Sequence, residues 1–334
     1  MNQKLLVAFA IGISLFSYAA IVDAHIPIAP NDGTTIGTAT EITDPWKSWF
    51  YYSELDAGVI HYYTFEAAEG ERIRFMLNVP IPEGGRGFTP GLVLMGLNIT
   101  DQGTHPTGLE VPTDVGVLVI APSPLKAEYE GFTPLSQYTT VDLNMSAPVT
   151  GTYYIGVYEE TSGGRYALVT GYVEAYDLIS WILVPVMAMT IITWTGQSIL
   201  FLLLLLLLPL TIGLVFLVMR HRSVFKRERI AALFGIMGGL LLLGSSFSFF
   251  IQMLISLLQA PYNWTVIVSL VFALLPLVLG SVVLRTVRAE NWESKRSTKV
   301  TLVVVGLLAP FVWAGFYVGP LLVILAGLVP LVRQ

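Results

Sequence analysis

Ser198-Ile-Leu-Phe201, then the seven leucines Leu202 to Leu208, Pro209 and Leu-Thr-Ile-Gly-Leu-Val-Phe-Leu-Val-Met219, run without a charge into Arg220-His221-Arg222. An uncharged apolar run of about 20 residues is long enough to cross the hydrocarbon core of a bilayer as a helix. The basic cluster that ends it marks the cytoplasmic side. The stretch divides the chain. The N-terminal part reads as an exported β domain, and the C-terminal part as membrane helices joined by basic loops.

The composition agrees. Of 334 residues, 54% are hydrophobic and only 12% charged, too apolar for a soluble protein of this size. The charges are segregated. Residues 25–177 hold 19 acidic and six basic side chains, a balance of −13; residues 178–334 hold three acidic and 11 basic ones, a balance of +8. Two environments are implied. The acidic half is unsuited to nucleic acid, which needs a basic surface to displace counterions. There is no cysteine, so disulfides and thiolate metal sites are excluded.

Residues 1–24 read as a signal peptide. Lys4 supplies the positive start, Leu5 to Val22 the apolar stretch, and Val22-Asp23-Ala24 places small residues at −3 and −1 of a cleavage site. An uncleaved anchor is the alternative. Cleavage after Ala24 leaves His25 as the new N-terminus.

Residues 25–176 alternate short strand-like runs with turn residues. Eight strands are expected: Trp46–Tyr52, Val59–Glu66, Arg72–Val79, Gly91–Ile99, Val115–Ile120, Tyr138–Asn144, Thr152–Tyr158 and Arg165–Val173. Period-2 alternation puts His61, Tyr63 and Phe65 on one face of the second, and Ile73, Phe75, Leu77 and Val79 on one face of the third. Such alternation suits antiparallel sheets with one buried face. The expected fold is all-β, an extracellular sandwich of jelly-roll type, followed by an α-helical membrane bundle of about four spans.

The hairpin His61-Tyr62-Tyr63-Thr64-Phe65-Glu66-Ala67-Ala68-Glu69-Gly70-Glu71-Arg72-Ile73 resembles the first hairpin of the bacterial and archaeal pre-peptidase C-terminal domains, with His61 where an acidic residue is usual. Gly151-Thr152-Tyr153-Tyr154-Ile155-Gly156-Val157 and Gly164-Arg165-Tyr166-Ala167-Leu168-Val169 are similar to that family's last hairpin. The resemblance covers about two fifths of the β domain and none of the membrane part. It implies a noncatalytic β-sandwich accessory module used for binding or display.

Residues 177–197 form an apolar run before the first span. Counted as a span, it would put Arg220 and Arg222 outside, against the positive-inside bias. The reading is a helix at the outer interface, with Trp181 and Trp194 at headgroup level and a break at Gly196. The membrane domain, 198–334, then has spans near 198–219, 230–257, 265–284 and 301–332. The last is too long for one straight helix and contains Pro310, Gly319, Pro320 and Pro330. One kinked span ending outside is preferred over a hairpin that returns Arg333 inside.

Orientation rests on three features. The signal exports the β domain. The basic residues Arg220, Arg222, Lys226, Arg227, Arg229, Arg285, Arg288, Lys295, Arg296 and Lys299 fall on one, cytoplasmic side. The glycosylation sequons at Asn98, Asn144 and Asn263 fall on the other. A multi-pass plasma-membrane protein with its N-terminal domain outside is expected.

Candidate chemistry is sparse. The amine and imidazole of a processed His25, with His61 or His105, resemble the histidine brace of copper monooxygenases and some copper carriers, and these nitrogens suit Cu(II). Turns such as Asp32-Gly33, Asp56-Ala57-Gly58 and Asp101-Gln102-Gly103 offer oxygen ligands for calcium. Tyr51, Tyr52, Tyr62, Tyr63, Tyr153, Tyr154 and Tyr158 either line a glycan or protein surface or pack within the sheets. The spans hold no Asp, Glu, Lys or Arg, which disfavours an ion pump. Their one polar cluster, Ser245, Ser246, Ser248 and Gln252, is read as interhelical hydrogen bonding. The leading expectation is a noncatalytic binding or structural module on a membrane bundle, with a membrane-protein partner or an extracellular glycan or protein ligand. A copper protein and a lipid or small-molecule transporter are the rivals.

Overall fold

The structure, a computed structural model, describes residues 26–28, 33–173, 177–220 and 230–332. The signal stretch, His25, His221, Arg222, Lys226, Arg227, Arg229 and Arg333 lie outside the described residues.

All eight expected strands form, and three short ones join them. In chain order they are β1 (Ile26–Ile28), β2 (Thr40–Glu41), β3 (Trp49–Leu55), β4 (Ile60–Ala67), β5 (Arg72–Pro80), β6 (Gly91–Gly96), β7 (Gly116–Ile120), β8 (Ala127–Glu130), β9 (Leu135–Ser146), β10 (Gly151–Tyr158) and β11 (Gly164–Thr170). They build two sheets, ordered β1-β3-β11-β5-β9-β8 and β2-β4-β10-β6-β7. Pairing is antiparallel except at β1–β3 and β2–β4, which are parallel. The helical content between residues 40 and 170 is a single turn, Ile81–Gly84.

One core draws side chains from both sheets. Tyr63 and Phe65 of β4 are buried with Phe75 and Leu77 of β5, and the Phe65 and Phe75 rings lie 5.0 Å apart. The expectation of one buried face per sheet is corrected. The first half of the outer face of β4 is buried too, because Ile60 and Tyr62 pack with Val93 and Met95 under the loop residues Ile36 and Leu109, whereas Glu66 further along that face is exposed. The loop is pinned there by the Glu110 backbone amide, which donates to Tyr62 Oη at 2.8 Å. The outer face of the first sheet is covered by the first of the long helices.

Among the described residues, six α-helices succeed the sheets: α1 (Leu178–Trp194), α2 (Ile199–Arg220), α3 (Ile230–Leu257), α4 (Val266–Arg288), α5 (Arg296–Leu308) and α6 (Val318–Val332). Asp177 caps α1 by accepting the Ser180 amide at 2.6 Å. That hydrogen bond also holds its carboxyl below the usual carboxylate range. The expected break at Gly196 is present. Gly196 adopts φ 104°, its amide donates to Thr193 O, and the Gln197 amide donates to Ile192 O. This pair of bonds is the Schellman closure of a helix end, and it needs a left-handed residue where glycine sits. Near this end, α1 lays Ile191 and Trp194 on Phe50, Ala167 and Val169 of the first sheet.

Among the described residues, α2, α3 and α4 are long and apolar enough to cross a membrane. Glycines set how the helices meet. Gly213 packs on Leu240 and Gly244 on Leu206, so α2 and α3 run antiparallel. Gly239 meets Leu284, and Gly280 meets Leu243, so α4 is antiparallel to α3. A methyl group at Gly244 would overlap the carbonyl oxygen of Leu206, which is backbone and cannot rotate away. Gly244→Leu is therefore expected to spread α2 from α3 and to cost about 2 kcal/mol or more, read as a lower thermal midpoint of the full chain in detergent. An unchanged midpoint would refute this packing.

The expected span over 301–332 is corrected. The stretch is a hairpin of two short helices, of 13 and 15 residues, about 20 and 22 Å long against a bilayer core of about 30 Å. Gly306 lies against Pro320 and Ile324, and Gly327 against Lys299 and Val303. Of the residues read as helix breakers, Pro320 is a contact point between the two arms, Gly319 packs against Leu241 and Leu242 of α3, and Pro310 lies in the reversal itself. The reversal is made by Ala309–Val312 as a 3-10 turn and by four residues at positive φ, Trp313, Gly315, Phe316 and Tyr317. Arg296 and Lys299 consequently form the first turn of α5 rather than a loop. With these directions, the ends of α2 and α4, the start of α3 and the start of α5 lie together. The basic side chains Arg285, Arg288, Lys295 and Arg296 gather at that end of the bundle, and the β domain sits at the other.

Candidate functional site

The β domain is docked on the bundle. The tip between β8 and β9, Gly131-Phe132-Thr133-Pro134, enters the far end of the bundle. Glu130 shapes this tip, its carboxylate accepting the amides of Phe132 at 2.8 Å and Thr133 at 2.6 Å. Phe132 is 4% exposed and stands edge-on to three rings: Trp313 at 4.9 Å, Trp181 at 5.6 Å and Phe272 at 5.7 Å. Trp313 and Phe272 are themselves stacked at 4.0 Å. Two helices, α1 and α4, and the 309–317 turn thus converge on one side chain of the β domain.

Hydrogen bonds run in both directions around that ring cluster. Tyr129 Oη donates to Ser269 Oγ at 2.6 Å, and Ser269 Oγ donates to Gly131 O. Ser136 Oγ donates to Ser256 O at 2.8 Å, and Ser256 Oγ returns a bond to Pro134 O at 3.0 Å. Burial pushes the Tyr129 hydroxyl up to about 12, since the phenolate would lose water in this junction. At the other end of α1, Arg165 of β11 donates through Nε to Glu83 Oε1 at 2.9 Å and through Nη1 to Trp194 O at 2.6 Å. Glu83 is buried. A guanidinium placed on the last carbonyls of α1 meets the negative end of the helix dipole.

Comparison with protein-family models and with curated proteins finds no match. The geometry of the chain alone therefore carries the functional reading.

Between α1, α2, α3 and the 309–317 turn lies a part-open pocket of about 80 Å³. Its walls are mostly apolar, with Ala188 and Met189 from α1, Leu202 and Leu206 from α2, and Trp313 from the turn. Ser245, Ser248 and Gln252 of α3 supply its polar side. Here the expected interhelical hydrogen bonding is only part of the account. Ser245 Oγ accepts the Gly315 amide at 2.8 Å, and Gln252 Nε2 donates to Gln197 Oε1 at 2.9 Å. Gln252 Oε1 is buried and has no partner among the described residues.

The other sequence candidates are scattered. His61 is buried in the β core, where Nδ1 lies 2.9 Å from Tyr166 Oη, which in turn lies 2.7 Å from Tyr63 Oη. His105 is exposed on a loop. Among the described residues, no three His, Asp or Glu side chains are grouped to hold a metal. Tyr51, Tyr62, Tyr63 and Tyr153 are buried, so they pack the sheets and offer no ligand surface. Asn98 and Asn144 are exposed. Asn263 Nδ2 donates to Tyr129 O at 2.8 Å, which places the sequon nitrogen in the junction. Sequence reasoning misses the β8–β9 tip. Its one signal is an aromatic residue, Phe132, in a Gly-Phe-Thr-Pro turn, where polar residues are the rule.

Proposed function

We propose that the chain is a multi-pass plasma-membrane protein that holds a noncatalytic β-sandwich module outside the cell as a binding or structural unit. The observation that supports this best is the junction. A module meant only to be tethered would not need Phe132 sunk among three rings or hydrogen bonds running both ways between its tip and α3 and α4. Seated in this way, the module has one orientation relative to the bundle, as a subunit presenting a defined face to a neighbour requires. The sandwich of jelly-roll type, and the resemblance of its hairpins to pre-peptidase C-terminal domains, go with an accessory rather than a catalytic role.

The orientation proposed is β domain outside and basic end inside, because the basic side chains gather at the bundle end remote from the β domain. The chain has no cysteine, so single cysteines report cleanly. Tyr262, in the α3–α4 loop, is 70% exposed, and Ser294, between α4 and α5, is exposed at the basic end. In intact cells an impermeant thiol reagent should label Tyr262→Cys at once and Ser294→Cys only after the membrane is opened. The reverse pattern would overturn the proposal.

A further inference from the structure

Ser245, Ser248 and Gln252 recur at spacings of three and four along α3, which puts them on one face of the helix. That face lines the pocket whose remaining walls are apolar. Gln252 is 2% exposed, with Nε2 engaged by Gln197 and Oε1 unpartnered among the described residues. Turning the amide over exchanges the two atoms and changes nothing in the count, since Gln197 can satisfy only one of them. A buried amide atom left open is disfavoured, and native structures rarely carry one without reason. Gln252 lies five residues before the end of α3, roughly 8 Å along the helix. On the proposed orientation it is at outer-leaflet depth. The helices α1 and α2, which form two walls, turn exposed apolar side chains outward, among them Leu183, Val186, Leu200 and Leu204.

We propose that this pocket binds a lipid of the surrounding bilayer that carries a free hydroxyl beside an aliphatic chain. A rotation of the Gln252 side chain brings Oε1, otherwise covered by the protein, to the hydroxyl, which donates to it. The first carbons of the chain fill the space between Met189, Leu202 and Leu206, and the rest of the chain leaves through the open side along the apolar surface of α1 and α2. The volume, about 80 Å³, suits the polar end and a few methylenes and excludes a bulky headgroup. An ordered water is the competing occupant. It would need two to four polar partners, which Ser245, Ser248 and Gln252 can supply, but it does not account for the apolar space between Met189, Leu202 and Leu206.

The probes are a long-chain alcohol with a diazirine near its hydroxyl and the methyl ether of the same molecule, which keeps the chain and loses the donor. Each is added at low mole fraction to phosphatidylcholine nanodiscs holding the full chain, and labelled peptides are mapped after photolysis. The alcohol should label peptides carrying Met189, Leu202 and Phe249 about tenfold more than the ether does, the ratio expected for one good hydrogen bond. Gln252→Leu should bring the two probes to equality, and Ala188→Phe, which fills the pocket, should abolish the labelling of those peptides by both. Equal labelling of the unmodified chain by alcohol and ether would overturn the proposal, as would labelling spread along Leu204 and Ile212 without enrichment at the pocket. A preference that survives Gln252→Leu would show that Gln252 does not receive the hydroxyl and would overturn the proposal too. Any of these failures would leave the reading of the β module unaffected.

Discussion

Phe132→Ala is expected to lower the stability of the full chain by about 3–5 kcal/mol, the range for truncating a well-packed buried phenylalanine. The side chain is enclosed on three sides by Trp181, Phe272 and Trp313, each from a different element. None of these walls can move inward alone. Trp313 is stacked on Phe272, and its Nε1 donates to Trp181 O at 3.0 Å. Trp181 Nε1 donates in turn to Phe311 O at 3.0 Å. A cavity left by the missing ring would therefore stay open, which puts the loss toward the upper part of the range. Edge-to-face contacts add to the area term. The loss should fall on the junction first, so the β domain should become sensitive to protease at a denaturant concentration where the bundle still holds its helical signal. Phe132→Leu should recover most of the difference. Separate unfolding midpoints for the two parts in the unmodified chain, unaltered by Phe132→Ala, would show that the tip is not seated.

That junction marks the limit of what a sequence can convey. Eight strands are legible because period-2 alternation is a local property, and all eight that have it form. The strands β1, β2 and β8 are not, since two to four residues carry no period and are fixed by partners such as Trp49 or Tyr63, which lie outside them. The break at Gly196 is legible because a left-handed helix end selects glycine locally. The glycines and prolines of 301–332 mislead for the converse reason. Gly319 is set by the close approach of α3 and Pro320 by that of Gly306 in the facing arm, and composition alone does not distinguish a kink from a contact. The polar cluster on α3 is visible, but that Gln252 is only half satisfied depends on Gln197, 55 residues away. For His61, the strand face is readable from alternation. Its partner Tyr166, 105 residues on and in the other sheet, decides that it is a core residue.

Arg165→Ala is expected to cost about 3 kcal/mol, the low end of the loss when one partner of a buried ion pair is removed. Glu83 is 6% exposed, and the single helical turn that carries it holds its carboxylate against β11. With Arg165 gone, its remaining cationic neighbour is Arg86 at 3.4 Å, a side chain largely in solvent. The carboxylate would then sit buried with little compensation. The Trp194 carbonyl would also lose its charged donor at the end of α1, where helix carbonyls lack intrahelical partners. Arg165→Lys should recover little, because one ammonium cannot reproduce the fork that serves Glu83 and Trp194 at once. The informative variant is the double change Glu83→Gln with Arg165→Met, which removes the charge along with its partner. Its loss should be clearly smaller than that of Arg165→Ala, because the largest part of the single-variant cost is the stranded carboxylate rather than the absent bond. Thermal midpoints of the full chain in one detergent settle the comparison. If the double variant is less stable than Arg165→Ala by the full worth of a second independent substitution, the pair is not coupled and the clamp between β11 and α1 is not what the geometry describes.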